Sequence, residues 1–162
     1  MSENFDFPVI NITNNFSVSF VGHELLEQQI TELTIPGLNV SMQETFRLDK
    51  RHKLPPRAIE PEYDELIASF NTNENYSNYF EIWAWIQDYK YSIKNGDVGS
   101  LLHDINVTWY DLNKHPIRHV AYKYCFPSML SDITLNNTVN EVEAAQFTVN
   151  FIVNDIIVEN IK

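Results

Sequence analysis

The sequence predicts an α+β fold: a mainly antiparallel β-sandwich or barrel with one principal helix at about residues 76–92. Three observations predict it. Between residues 145 and 153, Ala145, Phe147, Val149, Phe151 and Val153 occupy one parity while Gln146, Thr148 and Asn150 occupy the other, which is the period-two signature of a strand with one buried face. Shorter segments with the same alternation recur along the chain, and a strand that long needs partners. Apolar residues at helical spacing occur in one stretch, from Tyr76 to Tyr89.

Taken in order, residues 1–12 have little periodicity and read as a flexible arm of a single domain spanning 1–162. Phe16, Val18 and Phe20 alternate with Ser17 and Ser19 in a first strand that ends at Gly22. Residues 28–35 form a second strand, stopped by Pro36-Gly37, the chemistry of a type II turn. Leu38, Val40 and Met42 suggest a return strand. Residues 43–61 are charged, carry Pro55, Pro56 and Pro61, and do not alternate; they read as a long loop that orders on a partner. Leu66, Ala68 and Phe70 resume strand character. Asn73, Asn75 and Ser77 are candidate N-caps for the helix.

That helix has two apolar stripes, Tyr76, Tyr79, Phe80, Trp83 and Ile86 on one and Ile82, Trp85 and Tyr89 on the other. One stripe suits the protein's own sheet, and the second suits a neighbouring copy. Asn95-Gly96-Asp97 is a turn, and Ile105, Val107 and Trp109 open a hairpin that returns through Val120, Tyr122 and Tyr124. Phe126-Pro127-Ser128 reads as a turn, followed by a short Ile133-Thr134-Leu135 segment and an acidic linker, Glu141-Val142-Glu143.

The chain of 162 residues carries a net charge of −11, which argues against a general nucleic-acid binder. The charge is unevenly spread. Arg47, Lys50, Arg51, Lys53 and Arg57 against Asp49 give residues 47–57 a local net of +4, leaving −15 on the rest. A basic loop on an acidic body suits head-to-tail contact between identical copies. Within that loop His52 is the one aromatic ring, so base stacking is not its chemistry.

No motif supports catalysis. Cys125 is the single cysteine and, beside Tyr124 and Phe126, reads as a core residue. His115 and His119 flank a hairpin turn rather than lying on a helix with a third ligand, and Glu60 and Glu62 flank Pro61 in solvent. No phosphate loop or nucleophile elbow occurs, so no catalytic, cofactor-binding or metal-binding residue is assigned. No apolar run is long enough to span a membrane, and the acidic N-terminus lacks the features of a signal peptide, so folding in the cytoplasm is expected. The six Asn-x-Ser/Thr sequons then reflect an Asn-rich composition.

The order of parts resembles the tail tube proteins of contractile-tailed bacteriophages, a fold shared by type VI secretion tubes and baseplate tube-initiator proteins. The similar pieces are the early strand closing in Thr34-Ile35-Pro36-Gly37, the long loop after it, the single helix following a strand that ends near Phe70, Phe126-Pro127-Ser128, and Glu141-Val142-Glu143 leading into Phe147–Phe151. The resemblance implies a non-enzymatic virion protein, assembled in the host cytoplasm into stacked hexameric rings. Its partners would be its own copies and the sheath and baseplate proteins, with the genome passing through an acidic lumen without specific binding.

On this reading Arg47, Lys50, Arg51, Lys53, Arg57, Tyr79, Trp83, Trp85, Phe147 and Phe151 are the subunit-interface residues. The same fold serves at the start and the end of such tubes, so an initiator or terminator is the alternative. A monomeric β-sandwich binding module is the alternative of another class.

Overall fold

The computed structural model describes residues 15–40, 61–135 and 145–161, together with the backbone of residues 43–47 and 50–54. The expected arm at 1–12 and the acidic linker at 141–143 lie outside the described residues. Eleven strands and one helix are seen among those described: β1 (Phe16–Phe20), β2 (Ile30–Thr34), β3 (Leu38–Asn39), β4 (Gln43–Arg47), β5 (Lys50–Leu54), β6 (Glu62–Tyr63), β7 (Leu66–Asn71), α1 (Ser77–Asn95), β8 (His103–Tyr110), β9 (Pro116–Leu130), β10 (Gln146–Ile152) and β11 (Asp155–Asn160).

All pairings in the main sheet are antiparallel, in the order β1-β8-β9-β10-β7-β2, with β11 also on β9. The path folds at β9 into two layers. The first half of β9 pairs with β8 on one side and β11 on the other; its second half, from Phe126, pairs with β10. The result is a sandwich, and the sheet does not close into a barrel.

The bend in β9 falls at Tyr124, whose φ of 54° is left-handed. Such a conformation frees the peptide groups of the residue from the ladder, and both find side chains instead. Asp104 Oδ1 accepts from the Tyr124 N–H at 3.2 Å, and Asn154 Nδ2 donates to the Tyr124 carbonyl at 2.6 Å. The other oxygen of Asp104 pairs with Lys123 at 2.7 Å.

The segment Phe126-Pro127-Ser128, expected as a turn, runs on as strand. Asn150 is opposite Met129 and Phe151 is opposite Pro127, so Ser128 is the extra residue of a bulge. A bulge on an edge strand is where a proline, lacking an N–H, is tolerated. Ser128 Oγ donates to Glu65 Oε1 at 2.7 Å, which anchors the bulge from outside.

Between the layers the alternating residues interlock. Phe20 of β1 lies 5.8 Å from Phe70 of β7 and 5.9 Å from Phe151 of β10, while Phe70 stacks on Phe147 at 5.2 Å. Phe20, Phe70, Phe147 and Phe151 are all fully buried. Ring pairs at these separations add to the area they remove from water.

The helix covers one side of this core with Ile82 and Trp85. It begins after Tyr76, itself left-handed, and the cap comes from further back: Asn73 Oδ1 accepts from the Ser77 N–H at 2.8 Å. Gly96, at φ 74°, ends it in the left-handed cap that glycine adopts without strain.

Two expectations change. The excursion at 43–61 contains a hairpin, with β4 and β5 paired from Gln43↔Leu54 to Arg47↔Lys50. The charged sequence of residues 43–54 carries no period-two apolar signal from which the ribbon could be read. The expected return strand is only the two-residue β3, which pairs with β6 rather than with β2.

Two outcomes follow from this packing. Phe151→Ala is expected to lower unfolding free energy by about 3–5 kcal/mol in urea titrations, since it opens a cavity among four rings. Asp104→Ala is expected to cost about 1–2 kcal/mol, from the lost bonds to Tyr124 and Lys123. Burial alone would raise the Asp104 pKa, but the hydrogen bonds from Lys123 and the Tyr124 N–H, with the Lys123 charge, outweigh it and hold the carboxyl below its ordinary 3.8. Its contribution is therefore present above that value and is lost as pH falls through the acid range, so the gap between wild type and Asp104→Ala should narrow in acid.

Candidate assembly surfaces

Among the described residues no group of three or more His, Cys, Asp or Glu side chains is placed to hold a metal ion. His115 and His119 each have a local partner instead: Asp111 Oδ2 at 3.3 Å and Thr108 Oγ1 at 3.2 Å. Cys125 is buried, and its thiol is pushed up to about 12, chiefly by burial and then by the nearby Asp104 charge, which removes it as a nucleophile at neutral pH.

Three surfaces stand out. The first is the outer side of α1. Phe80 and Trp83, one turn apart, are 57% and 49% exposed. Tyr91 continues the apolar surface toward the helix C-terminus. Large rings left in water on one side of a helix mark a docking face rather than a core-facing one.

The second is an open groove of about 600 Å³ at one end of the sandwich. Trp109, Ile117, Val120, Tyr122, Ile156 and Val158 line it, with Ile35-Pro36 on the rim and Arg118 as the one cation. Register explains it: Val158 lies opposite Val120, and Ile156 opposite Tyr122, so β9 and β11 continue the inward face past the end of the opposing layer. The same region has an unfilled edge, because β11 is hydrogen-bonded to β9 alone among the described residues. Exposed N–H and C=O groups on an edge strand are a template for another strand.

The third is the basic hairpin. In the backbone register Arg47 pairs with Lys50 at the end of β4 and β5, Phe46 with Arg51, and Glu44 with Lys53. Arg57 lies outside the described residues.

The other expected interface residues divide. Tyr79 is half buried, edge-on to Phe147 at 5.3 Å, and donates its hydroxyl to the Ser131 carbonyl at 3.4 Å. Trp83 stays at the surface. Trp85, Phe147 and Phe151 are in the protein's own core: Trp85 Nε1 donates to the Leu101 carbonyl at 2.7 Å, and the two phenylalanines belong to the ring cluster described above. Alternation marks a face without saying what covers it, and here the covering layer is internal. The groove escapes sequence reasoning because Ile156, Ile157 and Val158 form an unbroken apolar run with no parity signal.

With the geometry in place, known proteins can be compared. No protein-family model matches the chain, and no curated protein does. Solved structures do.

The tube-terminating cap of the anti-feeding prophage is similar over 99% of this chain and 100% of its own, with a TM-score of 0.65 at 16% identity. The sheath/tube terminator of PVC, an extracellular contractile injection system, covers 96% of this chain and 99% of its own, with a TM-score of 0.66 at 12% identity. A chain of the PVC sheath–tube complex gives a TM-score of 0.62 at 14% identity, over 97% of this chain and 95% of its own. The fold is that of contractile-injection tube and cap proteins. At such identities it is the path of the chain that is shared, not the side chains of any site.

The tube-fold surfaces separate from the core in a testable way. Trp83→Ala and Val158→Asp are each expected to change monomer stability by no more than about 0.5 kcal/mol, the range of exposed substitutions. The same changes should weaken self-association in sedimentation velocity runs, whereas Phe147→Ala should lower the melting temperature instead.

Proposed function

We propose that this chain is a structural, ring-forming subunit of the inner tube of a contractile particle, a phage tail or a related injection apparatus. The observation that carries the reading is agreement in fold along nearly the whole chain with tube and tube-terminating proteins, with no large unmatched segment on either side. The surfaces support it. A free edge at β11, an apolar groove beside it and an exposed aromatic helix face give a subunit three separate places to meet copies or neighbours.

Hexameric rings closed by strand pairing between subunits are the arrangement we propose, with sheath and baseplate proteins as outer partners. A body carrying −15 outside residues 47–57 would let a polyanion pass through a lumen without adhering, while a basic wall would bind phosphates and hold them. Residues 47–57 supply the complementary charge for a neighbouring copy, so Arg47, Lys50, Arg51, Lys53 and Arg57 remain the proposed contact residues.

A second reading is favoured by a specific observation: two of the structures similar in fold along nearly their full length are terminators. In that role the protein would form a single ring that closes a tube rather than one that stacks.

Electron microscopy with light scattering on the purified protein distinguishes the readings. Stacked rings support the main tube subunit, single rings that do not stack support the terminator, and a monomer at every concentration overturns self-assembly. Reversing the charge of Arg47, Lys50, Arg51 and Lys53 together is expected to abolish stacking while leaving the circular dichroism spectrum and melting temperature near wild type.

A further inference from the structure

A cluster away from the assembly surfaces joins three elements. The chain leaves β1 through Gly22 into a 3-10 turn, Glu24–Leu26, and His23 at its start points under α1. Its ring stacks on Trp85 with centroids 4.2 Å apart and planes 17° from parallel. Its Nδ1 lies 2.8 Å from Glu81 Oε1. His103, the first residue of β8, meets both rings nearly edge-on, 4.8 Å from His23 and 5.0 Å from Trp85. Two polar atoms in this cluster, His23 Nε2 and Glu81 Oε2, are shut away from solvent with no hydrogen-bond partner.

We propose that this cluster is an acid-opened clasp that holds the middle of α1 and the 3-10 turn against β8. In the closed state the His103 ring is half-buried and lies 4.8 Å from the His23 ring, so protons on both would set like charges against one another. His23 faces it from the turn, with Glu24 next in the chain; Trp85 and Glu81 face it from α1, and Asp88 lines the small open pocket that these side chains border, distinct from the groove beside β11. From its own strand comes Asp104, which is already paired with Lys123 of β9, and Cys125 of β9 lies opposite in register. The backbone leaves no slack: a Cβ at Gly22 would lie 3.3 Å from His103 Nδ1.

Burial, and then the neighbouring His23, lower the His103 pKa from its ordinary 6.5, and together they outweigh the Val21 hydrogen bond and the Asp104 charge that would raise it. A closed state with the lower pKa binds fewer protons than an open one. Stability of the closed clasp is therefore full above about 6.5 and is lost as pH falls through that value, because the open state takes up a proton that the closed state refuses. Opening also hydrates the two stranded atoms, which the closed form leaves without partners.

Hydrogen exchange followed by NMR on the whole protein tests this. Between pH of about 7.5 and about 5.5, protection at Ile82–Ile86, corrected for intrinsic rates, is expected to fall severalfold relative to β7 and β10, with His103→Gln removing most of that difference. A protection ratio that stays flat over this range, or a drop of the same size in His103→Gln, overturns the proposal. If His103→Gln does not fold, the wild-type titration decides alone: a His103 Cε1–H midpoint at or above 6.5 overturns the clasp, and a midpoint below it that coincides with the loss of α1 protection supports it.

Discussion

The structure depends on one bend. β9 is 15 residues long and serves two layers, and it can do so only because the chain turns at Tyr124 without leaving any peptide group unpaired. A left-handed residue inside a strand breaks the ladder on both sides, and an unsatisfied peptide there would cost more than the strand could return. Asp104 takes the N–H and Asn154 supplies a donor for the C=O, one from β8 and the other from the link between β10 and β11. The bend is thus held by the strands that it separates.

The two layers created by that bend define the rest. Phe20 meets Phe70 and Phe151 across the gap, and Trp85 of the helix closes the side of the ring cluster at 5.9 Å from Phe151. Because sandwiches do not close on themselves, edges remain. Here β1, β2 and β11 each have one hydrogen-bonded neighbour among the described residues, and the groove lies where β9 and β11 outrun the opposing layer. What is unfinished in the monomer is what a ring of copies would complete. The same geometry that makes the core leaves the free edges and the groove that the proposed ring would use.

Electrostatics adds direction to this. In the ring we propose, an acidic body with a basic segment at 47–57 would set an order of docking between identical subunits, since like meets unlike only when they approach head to tail. Screening at physiological salt confines that preference to short range, so it guides register rather than supplying most of the affinity. The histidine clasp works at another level, within one subunit, and couples the docking of α1 to proton concentration. Since α1 also carries Phe80 and Trp83 on its outer side, a shift of the helix would move that surface with it.

The sequence by itself determined which residues alternate and which are helical, and β1, β7, β8, β10 and α1 lie where period two and period 3.6 place them. That follows because each of these elements buries one face, and burial imposes a parity on composition. The fold of contractile tubes was legible for the same reason, as an order of such elements. What burial does not govern was decided only in three dimensions. The hairpin of β4 and β5 has no period-two apolar pattern to announce it, and β9 passes through Pro127 because a bulge at Ser128 removes the need for an N–H. Trp85, Phe147 and Phe151, expected at a subunit interface, are core residues because the partner that alternation demands is supplied by the opposing layer of the same chain. A pattern in sequence states that a face is covered; only the tertiary structure states by what.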